Sequence, residues 1–179
     1  MDDRYIEKVR TLSLNSEVVK EMAEDFRIIY TPLHGTGNIP VRSALKAVGF
    51  TNVTVVPEQE QPDKDFPTVK SPNPEEHEAF TLAIELAKKQ SADIIIGTDP
   101  DCDRVGAVVR NTLGEYVVLT GNQTGALLID YILGSLKKQG RLNDRSTVIN
   151  TIVTGKLGEK IAESYNVKTI SVLTGFKYI

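Results

Sequence analysis

Three short apolar segments constrain the fold of this chain more than any other feature of its sequence. Residues 28–30 (IIY), 53–56 (VTVV) and 94–96 (III) are rich in β-branched side chains and lack a regular polar–apolar alternation. Continuous runs of this kind predict strands that are covered on both faces, as in parallel sheets with crossover helices. We therefore predict an α/β fold built on a mostly parallel sheet.

Helical patterns lie between the predicted strands, as crossover connections require. Residues 38–48 place apolar side chains near one face, and Gly49 ends the pattern. Residues 75–90 follow Asn73 in the position of a helix N-cap, with Pro74 next to it and acidic residues in the first turn. The sequence thus predicts two crossover helices, at 38–48 and 75–90.

The pattern changes after the third apolar segment. Residues 105–110 and 115–119 predict two strands joined by a turn, which would add an antiparallel edge strand to the parallel sheet. We place a domain boundary near 112–118 and predict two domains, 1–114 and 115–179.

The second predicted domain is a shorter α/β unit. Its predicted elements, in chain order, are a helix from 121 to about 136, a strand at 146–152, a helix near 155–164 and a strand at 167–172. Roughly 60 residues are too few to close an independent α/β layer. We therefore expect the chain to be part of a longer polypeptide, with this second domain incomplete.

Composition and charge narrow the possible classes of function. The 179 residues carry a formal net charge of −3, which argues against a nucleic-acid partner. No segment approaches the roughly 18–20 apolar residues that span a bilayer, and the charged N-terminus lacks the apolar core of a signal peptide. A single cysteine, Cys102, excludes an internal disulfide and is typical of a reducing compartment. We expect a cytoplasmic protein that acts on neither nucleic acid nor membrane.

The segment after the third predicted strand carries the strongest chemical signal. Asp99, Asp101 and Asp103 alternate with other residues and are followed at once by Arg104. In a flat strand their side chains would stand roughly 6.6 Å apart, too far to share one small cation that binds oxygen at about 2.0–2.1 Å. We therefore expect this acidic loop to curl.

A curled acidic loop needs a tight backbone path and relief from charge repulsion. Gly97 and Pro100 suit the tight path. A hard divalent cation relieves repulsion among three carboxylates, and Mg²⁺ matches an all-oxygen site at the carboxyl end of a parallel strand. Arg104 would then either balance the carboxylates or hold a phosphate oxygen beside the metal, as phosphoryl transfer requires.

Other interpretations of the acidic loop stay open from the residues alone. It could be a solvated acidic turn, or part of a non-catalytic module that binds metal or sugar phosphate. It could also belong to a haloacid-dehalogenase-like phosphatase, with Asp99 as nucleophile and Asp101 as acid/base. A calcium EF-hand fits poorly, because its loop needs Gly at the sixth position and Glu at the twelfth, where this chain has Arg104 and Arg110.

Four motifs along the chain resemble those of a single family. Residues 97–104 (GTDPDCDR) resemble the metal-binding loop of the α-D-phosphohexomutases, the phosphoglucomutase and phosphomannomutase family. Residues 30–37 (YTPLHGTG) resemble the loop after the first strand of that family's second domain. Residues 121–128 (GNQTGALL) and 174–177 (TGFK) resemble the start and the T-G-F/W-K motif of its third domain. The likeness covers nearly the whole chain and is strongest to the phosphoglucomutase and phosphopentomutase branch.

The resemblance implies a Mg²⁺-dependent isomerase. Such enzymes interconvert hexose 1-phosphates and 6-phosphates through a phosphoserine and a bisphosphate intermediate. Asp99, Asp101 and Asp103 would hold the metal. Arg104 would lie beside the phosphoserine and the reacting sugar oxygen, in a catalytic and substrate-binding role, and Lys177 would contact the substrate. The resemblance favours glucose 1-phosphate or 6-phosphate over mannose, glucosamine and pentose phosphates.

Parts of the family pattern are absent from this sequence. Neither the phosphoserine motif, T-x-S-H-N-P, nor the sugar-binding G-E-x-S loop occurs in it. Ser71 lies in a similar Ser-Pro-Asn-Pro segment that lacks the His, so we do not assign it as nucleophile. The resemblance implies that domains 1 and 4 of the same polypeptide complete the enzyme and that this chain alone is inactive. For His34 and its neighbouring glycines we expect a tight strand-to-helix turn rather than a phosphate site.

Overall fold

The computed structural model describes residues 2–179 and divides the chain into two compact units, one ending at Leu119 and the other spanning Thr120–Ile179. No helix among residues 2–179 has both the length and the apolar character needed to cross a membrane. The first unit contains α1 (Asp2–Arg10), α2 (Ser16–Met22), β1 (Ile28–Thr31), α3 (Asn38–Val48), β2 (Val53–Val55), α4 (Thr81–Gln90), β3 (Ile94–Thr98), β4 (Val105–Arg110) and β5 (Tyr116–Val118). The second contains α5 (Gly121–Lys138), β6 (Thr147–Thr151), α6 (Leu157–Ser164) and β7 (Lys168–Val172). Short 3₁₀ helices occupy Pro57–Gln59 and His77–Phe80 in the first unit and Phe176–Tyr178 in the second.

The first unit is built on a five-stranded sheet with the strand order β2-β1-β3-β4-β5. Strand β1 pairs in parallel with both β2 and β3, so Ile28 lies between Val53 and Ile94. Strand β4 runs antiparallel to β3, and β5 antiparallel to β4. The prediction of a mostly parallel sheet with an antiparallel edge is therefore confirmed. The three apolar runs form its parallel part.

Helix α4 packs on this sheet through small and aliphatic side chains at helical spacing. Ala83 and Ala87 are fully buried and share one apolar cluster with Ile29, Ile95 and Val108 from three strands. Burial of such apolar surface stabilises the unit by about 25 cal/mol per Å² removed from water. The packing fixes the strands whose carboxyl ends carry the loops described below.

The second crossover helix begins later than the sequence predicted. A helix was expected over 75–90, but α4 starts at Thr81 and a 3₁₀ helix occupies His77–Phe80. The expectation of an α-helical start at 75 is therefore wrong. The segment around Asn73 and Pro74, which suggested an N-cap, forms a turn instead.

Asn73 closes a turn instead of capping a helix. Its side-chain oxygen accepts a hydrogen bond from the backbone N–H of Glu75 at 3.2 Å, as in an Asx turn. The next residue, Pro74, is buried, and a methyl group added at Gly106 of β4 would collide with its carbonyl oxygen. Close packing against the sheet therefore holds this segment in a turn.

The second unit joins two parallel strands to two helices. Strand β6 pairs with β7 along five residues of each. Thr120 and Gln123 form a capping box at the start of α5, in which each side chain accepts from the other residue's backbone N–H. The helix–strand–helix–strand order agrees with the prediction, and Leu133, Ala162 and Val167 form its buried core.

Candidate metal and anion site

The acidic loop is the six-residue connection between β3 and β4. Thr98 and Val105 at its two ends face each other in the antiparallel ladder. The chain reverses with Cys102 in the left-handed region, at φ 62°, and the Cys102 N–H donates to the Asp99 carbonyl at 3.0 Å. The curl expected from the sequence is present, and its left-handed residue is Cys102.

Gly97 serves packing rather than the turn itself. It lies inside β3, opposite Gly106 of β4. A methyl group at Gly97 would approach the Phe80 ring to 2.7 Å. The glycine therefore makes room for an aromatic ring of the core, and the expectation that it would shape the loop's path is wrong.

Three carboxylates converge in this loop. One side-chain oxygen from each of Asp99, Asp101 and Asp103 lies within 4.8 Å of the other two. Opposite oxygens in an octahedral Mg²⁺ shell are about 4.2 Å apart, so small side-chain adjustments bring all three within reach of one ion. The donor set is all oxygen and carries three negative charges, which fits a hard divalent cation.

Asp99 is the fixed member of the group. It is 2% exposed, and its two oxygens accept hydrogen bonds from the backbone N–H and the Nε of Arg104, at 2.9 and 2.7 Å. Burial acts to raise the pKa of Asp99, but the Arg104 hydrogen bonds and charge outweigh it, so the pKa is lowered. Asp99 is therefore an ionised, buried carboxylate. Its burial leaves little room for attack on a substrate, which disfavours the phosphatase alternative.

Asp101 and Asp103 are exposed, in contrast to Asp99. The negative charge of Asp101 is the largest influence on Asp103 and raises the pKa of that carboxyl. The two side chains repel each other across an open, water-facing surface. A bound cation would remove this repulsion.

Arg104 lies half exposed at the end of the loop. Its Nε pairs with Asp99, and its Nη1 donates to the side-chain oxygen of Asn73 at 3.2 Å. Within residues 2–179, no hydrogen-bond partner faces its Nη2. This leaves guanidinium N–H donors for an anion next to the three carboxylates.

The loop after β1 supports the acidic loop through close backbone contacts. Thr36 donates two hydrogen bonds to the Pro100 carbonyl, from its N–H at 2.8 Å and from its hydroxyl at 3.0 Å. A methyl group at Gly35 would lie 2.7 Å from the same carbonyl oxygen. The glycine therefore allows the two loops to touch.

Gly37, like Gly35, lies too close to neighbouring atoms to carry a side chain. A methyl group there would lie within 3 Å of the Tyr30 hydroxyl, the Thr98 hydroxyl and the Cys102 sulfur. The two hydroxyls are hydrogen-bonded at 2.9 Å, and burial raises the pKa of Tyr30 to about 12. Cys102 is thus a packing residue in the loop.

His34 anchors residues 57–74, which we call the long loop and which form most of the connection from β2 to α4. Its Nδ1 lies 3.2 Å from the Gln61 carbonyl, and its Nε2 lies 2.8 Å from the Thr68 hydroxyl. That hydroxyl accepts from the Gln59 amide, which leaves its proton for the His34 Nε2. The pattern matches the tautomer with a proton on Nδ1. His34 is therefore a structural residue of a strand-to-helix turn.

Lys177 belongs to the second unit and not to the acidic loop's unit. It lies on the short 3₁₀ helix Phe176–Tyr178, and its ammonium is 5.0 Å from the centre of the Tyr178 ring. Its side chain is exposed.

Asn73 is the residue of this site whose role was missed. Sequence reasoning assigned it to a helix cap because its signal, Asn-Pro-Glu-Glu, is local. The hydrogen bond to Arg104 joins residues that are 31 positions apart. No local pattern predicts such a contact.

Two family models match the chain. "Phosphoglucomutase/phosphomannomutase, alpha/beta/alpha domain II" matches residues 3–114, and "Phosphoglucomutase/phosphomannomutase, alpha/beta/alpha domain III" matches residues 120–179. Curated relatives include a phosphoglucomutase of Staphylococcus haemolyticus, 44% identical over 155 residues, and one of Staphylococcus aureus, 42% identical over the same length. These alignments cover 87% of this chain but only 28% and 27% of the relatives.

Solved structures have the same fold at low sequence identity. A phosphoglucomutase/phosphomannomutase family protein from Burkholderia thailandensis matches 99% of this chain and 34% of its own, with a TM-score of 0.70 and 16% identity. An N-acetylphosphoglucosamine mutase from Aspergillus fumigatus, solved with GlcNAc-6P and magnesium, matches 86% of this chain and 32% of its own, with a TM-score of 0.58 and 16% identity.

Proposed function

The chain belongs to the phosphoglucomutase/phosphomannomutase family, and we propose that it supplies the metal-binding loop of a Mg²⁺-dependent phosphohexomutase. The whole enzyme would interconvert hexose 1-phosphate and 6-phosphate through a phosphoserine and a bisphosphate. The observation that carries this proposal is the convergence of three carboxylates and one arginine on a single loop at the end of a parallel strand.

The three carboxylates would hold the metal ion. Asp99 is oriented by Arg104 and stays ionised, while Asp101 and Asp103 face solvent, where a phosphorylated group could approach. A bound Mg²⁺ would neutralise charge on the phosphoryl oxygens, which is a main requirement of phosphoryl transfer. The magnesium in the Aspergillus fumigatus mutase structure supports this choice of ion.

Arg104 would bind an oxygen of the transferring phosphoryl group. Its pairing with Asp99 fixes one edge of the guanidinium, and its remaining N–H donors can reach an anion beside the metal. We also propose that Lys177 contacts the phosphorylated sugar, as the T-G-F-K resemblance implies.

The chain spans about 28% of the length of the curated relatives. We propose that residues 1–114 correspond to domain 2 and residues 115–179 to the first part of domain 3, with domains 1 and 4 of the same polypeptide providing the phosphoserine and the remaining phosphate contacts. The matches of the family models to domains II and III support this division. The named relatives favour a glucose phosphate as substrate.

A metal titration of the purified chain tests the site without the remaining domains. We expect isothermal titration calorimetry with Mn²⁺, a probe for Mg²⁺, to detect one site, and Asp101→Asn to weaken it by roughly tenfold or more, because a charged oxygen ligand is lost. The control is Asp65→Asn, which removes an exposed carboxylate that lies in the same unit and is paired with Lys64. This variant should bind Mn²⁺ as the wild type does. Equal Mn²⁺ binding by the wild type and Asp101→Asn would show that the loop is no metal site.

The activity is tested on a polypeptide that restores the four domains. We expect it to convert glucose 1-phosphate to glucose 6-phosphate and Asp99→Asn, Asp101→Asn or Asp103→Asn to abolish the conversion. The 179-residue chain alone should have no mutase activity. Turnover by the chain alone would contradict the proposed division of the enzyme.

A further inference from the structure

We propose that Asn73 is a positioning residue for Arg104, which it holds in place for anion binding through a side-chain hydrogen bond from a different part of the chain. The proposal rests on the function proposed above, since it assigns Arg104 to an anion. Asn73 lies at the end of the long loop, and its side-chain oxygen is 3.2 Å from the Nη1 of Arg104.

The neighbours of Asn73 determine which way its amide points. The oxygen faces two donors, the Glu75 backbone N–H at 3.2 Å and the Arg104 Nη1. The nitrogen faces an acceptor, a Glu76 carboxylate oxygen at 3.0 Å. A flipped amide would place its NH₂ against both donors and its carbonyl against the carboxylate, losing all three hydrogen bonds. The contacts with Glu75 and Glu76 alone therefore orient the Asn73 oxygen toward Arg104.

The backbone that carries Asn73 is itself fixed. Pro74 is buried against Gly106 of β4, at a spacing that leaves no room for a side chain on the glycine. The Ser71 hydroxyl also donates to the Glu76 carboxylate, at 3.2 Å. This hydrogen bond restrains the carboxylate that accepts from the Asn73 amide. The acceptor is thus part of a rigid turn on the sheet.

Two anchors define the plane of the Arg104 guanidinium, whereas one would leave it free to rotate. Asp99 holds Nε, and Asn73 holds Nη1. Without Asn73, the half-exposed side chain could turn toward Asp103, whose carboxylate is only 3.9 Å from Nε. That movement would pair the arginine with a second proposed metal ligand, in addition to Asp99, instead of with the anion. Asn73 therefore limits close pairing of Arg104 to one carboxylate of the loop, that of Asp99.

NMR of the Arg104 side chain in the 179-residue chain tests the proposal. Asn73→Ser keeps a short side-chain acceptor for the Glu75 N–H but cannot reach Arg104. We expect hydrogen exchange of the Arg104 Nε–H to become about fivefold faster in this variant, with averaging of the Nη signals, because one anchor is lost. Asn73→Asp retains an acceptor for Arg104, and Glu76→Gln in the same chain replaces the carboxylate that would otherwise repel the new one. This double variant should restore slow exchange of the Arg104 Nε–H.

The matched control is Asn111→Ser. Asn111 also accepts from backbone N–H groups, those of Leu113 and Glu115, and donates to the Glu115 carboxylate, but in the β4–β5 turn. It should leave the Arg104 signals unchanged. The proposal is wrong if Asn73→Ser leaves them unchanged, if the double variant of Asn73→Asp with Glu76→Gln fails to restore slow exchange, or if Asn111→Ser alters them equally. Because the Mn²⁺ titration of the wild type is a separate measurement, failure of the metal site is distinguishable from failure of this inference.

Discussion

Alanine at Gly35 would insert a methyl group between the loop after β1 and the acidic loop. The new carbon would lie 2.7 and 2.8 Å from the carbonyl oxygen and carbon of Pro100. The Pro100 Cα would lie closer still. Non-bonded carbon atoms prefer about 3.5–4.0 Å, and all three Pro100 atoms belong to the backbone, so the two loops must separate by more than about 1 Å. That separation would break the hydrogen bonds from Thr36 to the Pro100 carbonyl.

The expected cost of Gly35→Ala is about 2–5 kcal/mol in the free energy of unfolding of the first unit, combining overpacking with two lost hydrogen bonds. Displacement of Pro100 also moves its two neighbours, Asp99 and Asp101, so Mn²⁺ affinity should fall by roughly tenfold. Circular dichroism in urea measures the stability, since the chain has no tryptophan. Calorimetric titration measures the affinity.

Gly114→Ala is the control for the backbone effect of alanine. Gly114 has φ 82° and nothing within 4 Å of the added methyl group, so the change costs only about 1 kcal/mol of strain. Its Mn²⁺ affinity should equal that of the wild type. Wild-type stability and metal affinity in Gly35→Ala would refute the idea that close contact between the loops supports the site.

Three further predictions concern the surroundings of the acidic loop. Because the pKa of Asp99 is lowered in the folded chain, its ionised form contributes stability at pH values above the ordinary carboxyl pKa. This contribution is lost as the pH falls through the lowered pKa of the folded chain. Asp99→Asn should therefore reduce the free energy of unfolding more at pH 7 than at pH 3, and an equal loss at both would contradict the pairing with Arg104. Gly97→Ala should destabilise the chain by about 1–3 kcal/mol in urea, because its methyl group meets the Phe80 ring, and the double variant with Phe80→Leu should recover part of the loss. His34→Ala should cost roughly 2–4 kcal/mol and increase proteolysis in the long loop, since both ring hydrogen bonds to that loop disappear; unchanged proteolysis would argue against the anchoring role.

The parts of the fold that follow from local sequence were predictable. The runs at 28–30, 53–56 and 94–96 are strands because continuous β-branched segments pack well on both faces of a sheet. The acidic loop was located because its four charged residues are adjacent in sequence. Helices α1 and α2 were not predicted, although Tyr5, Ile6 and Val9 of α1 have the spacing of one helix face; no residue of either helix is fully buried.

The supporting contacts of the site depend on residues far apart in the chain. Gly35 and Pro100 are 65 positions apart, and only the parallel pairing of β1 with β3 brings them together. The prediction that a helix begins at residue 75 is wrong for the same reason. The contact between Pro74 and Gly106, which are distant in sequence, outweighs the local helix signal. Sequence patterns contain spacing and residue type, whereas these contacts are set by the packing of the sheet.

The hairpin position of the acidic loop has a consequence for the order in which the site forms. All three carboxylates lie within five residues, between strands whose pairing begins directly at Thr98 and Val105. Contacts of such short sequence separation close with little loss of chain entropy and need no distant partner. The loop after β1 must instead be brought in over more than 60 residues. We therefore expect the three carboxylates to come together early during folding, on the nascent hairpin. Their positions should become fixed only later, when β1 joins the sheet.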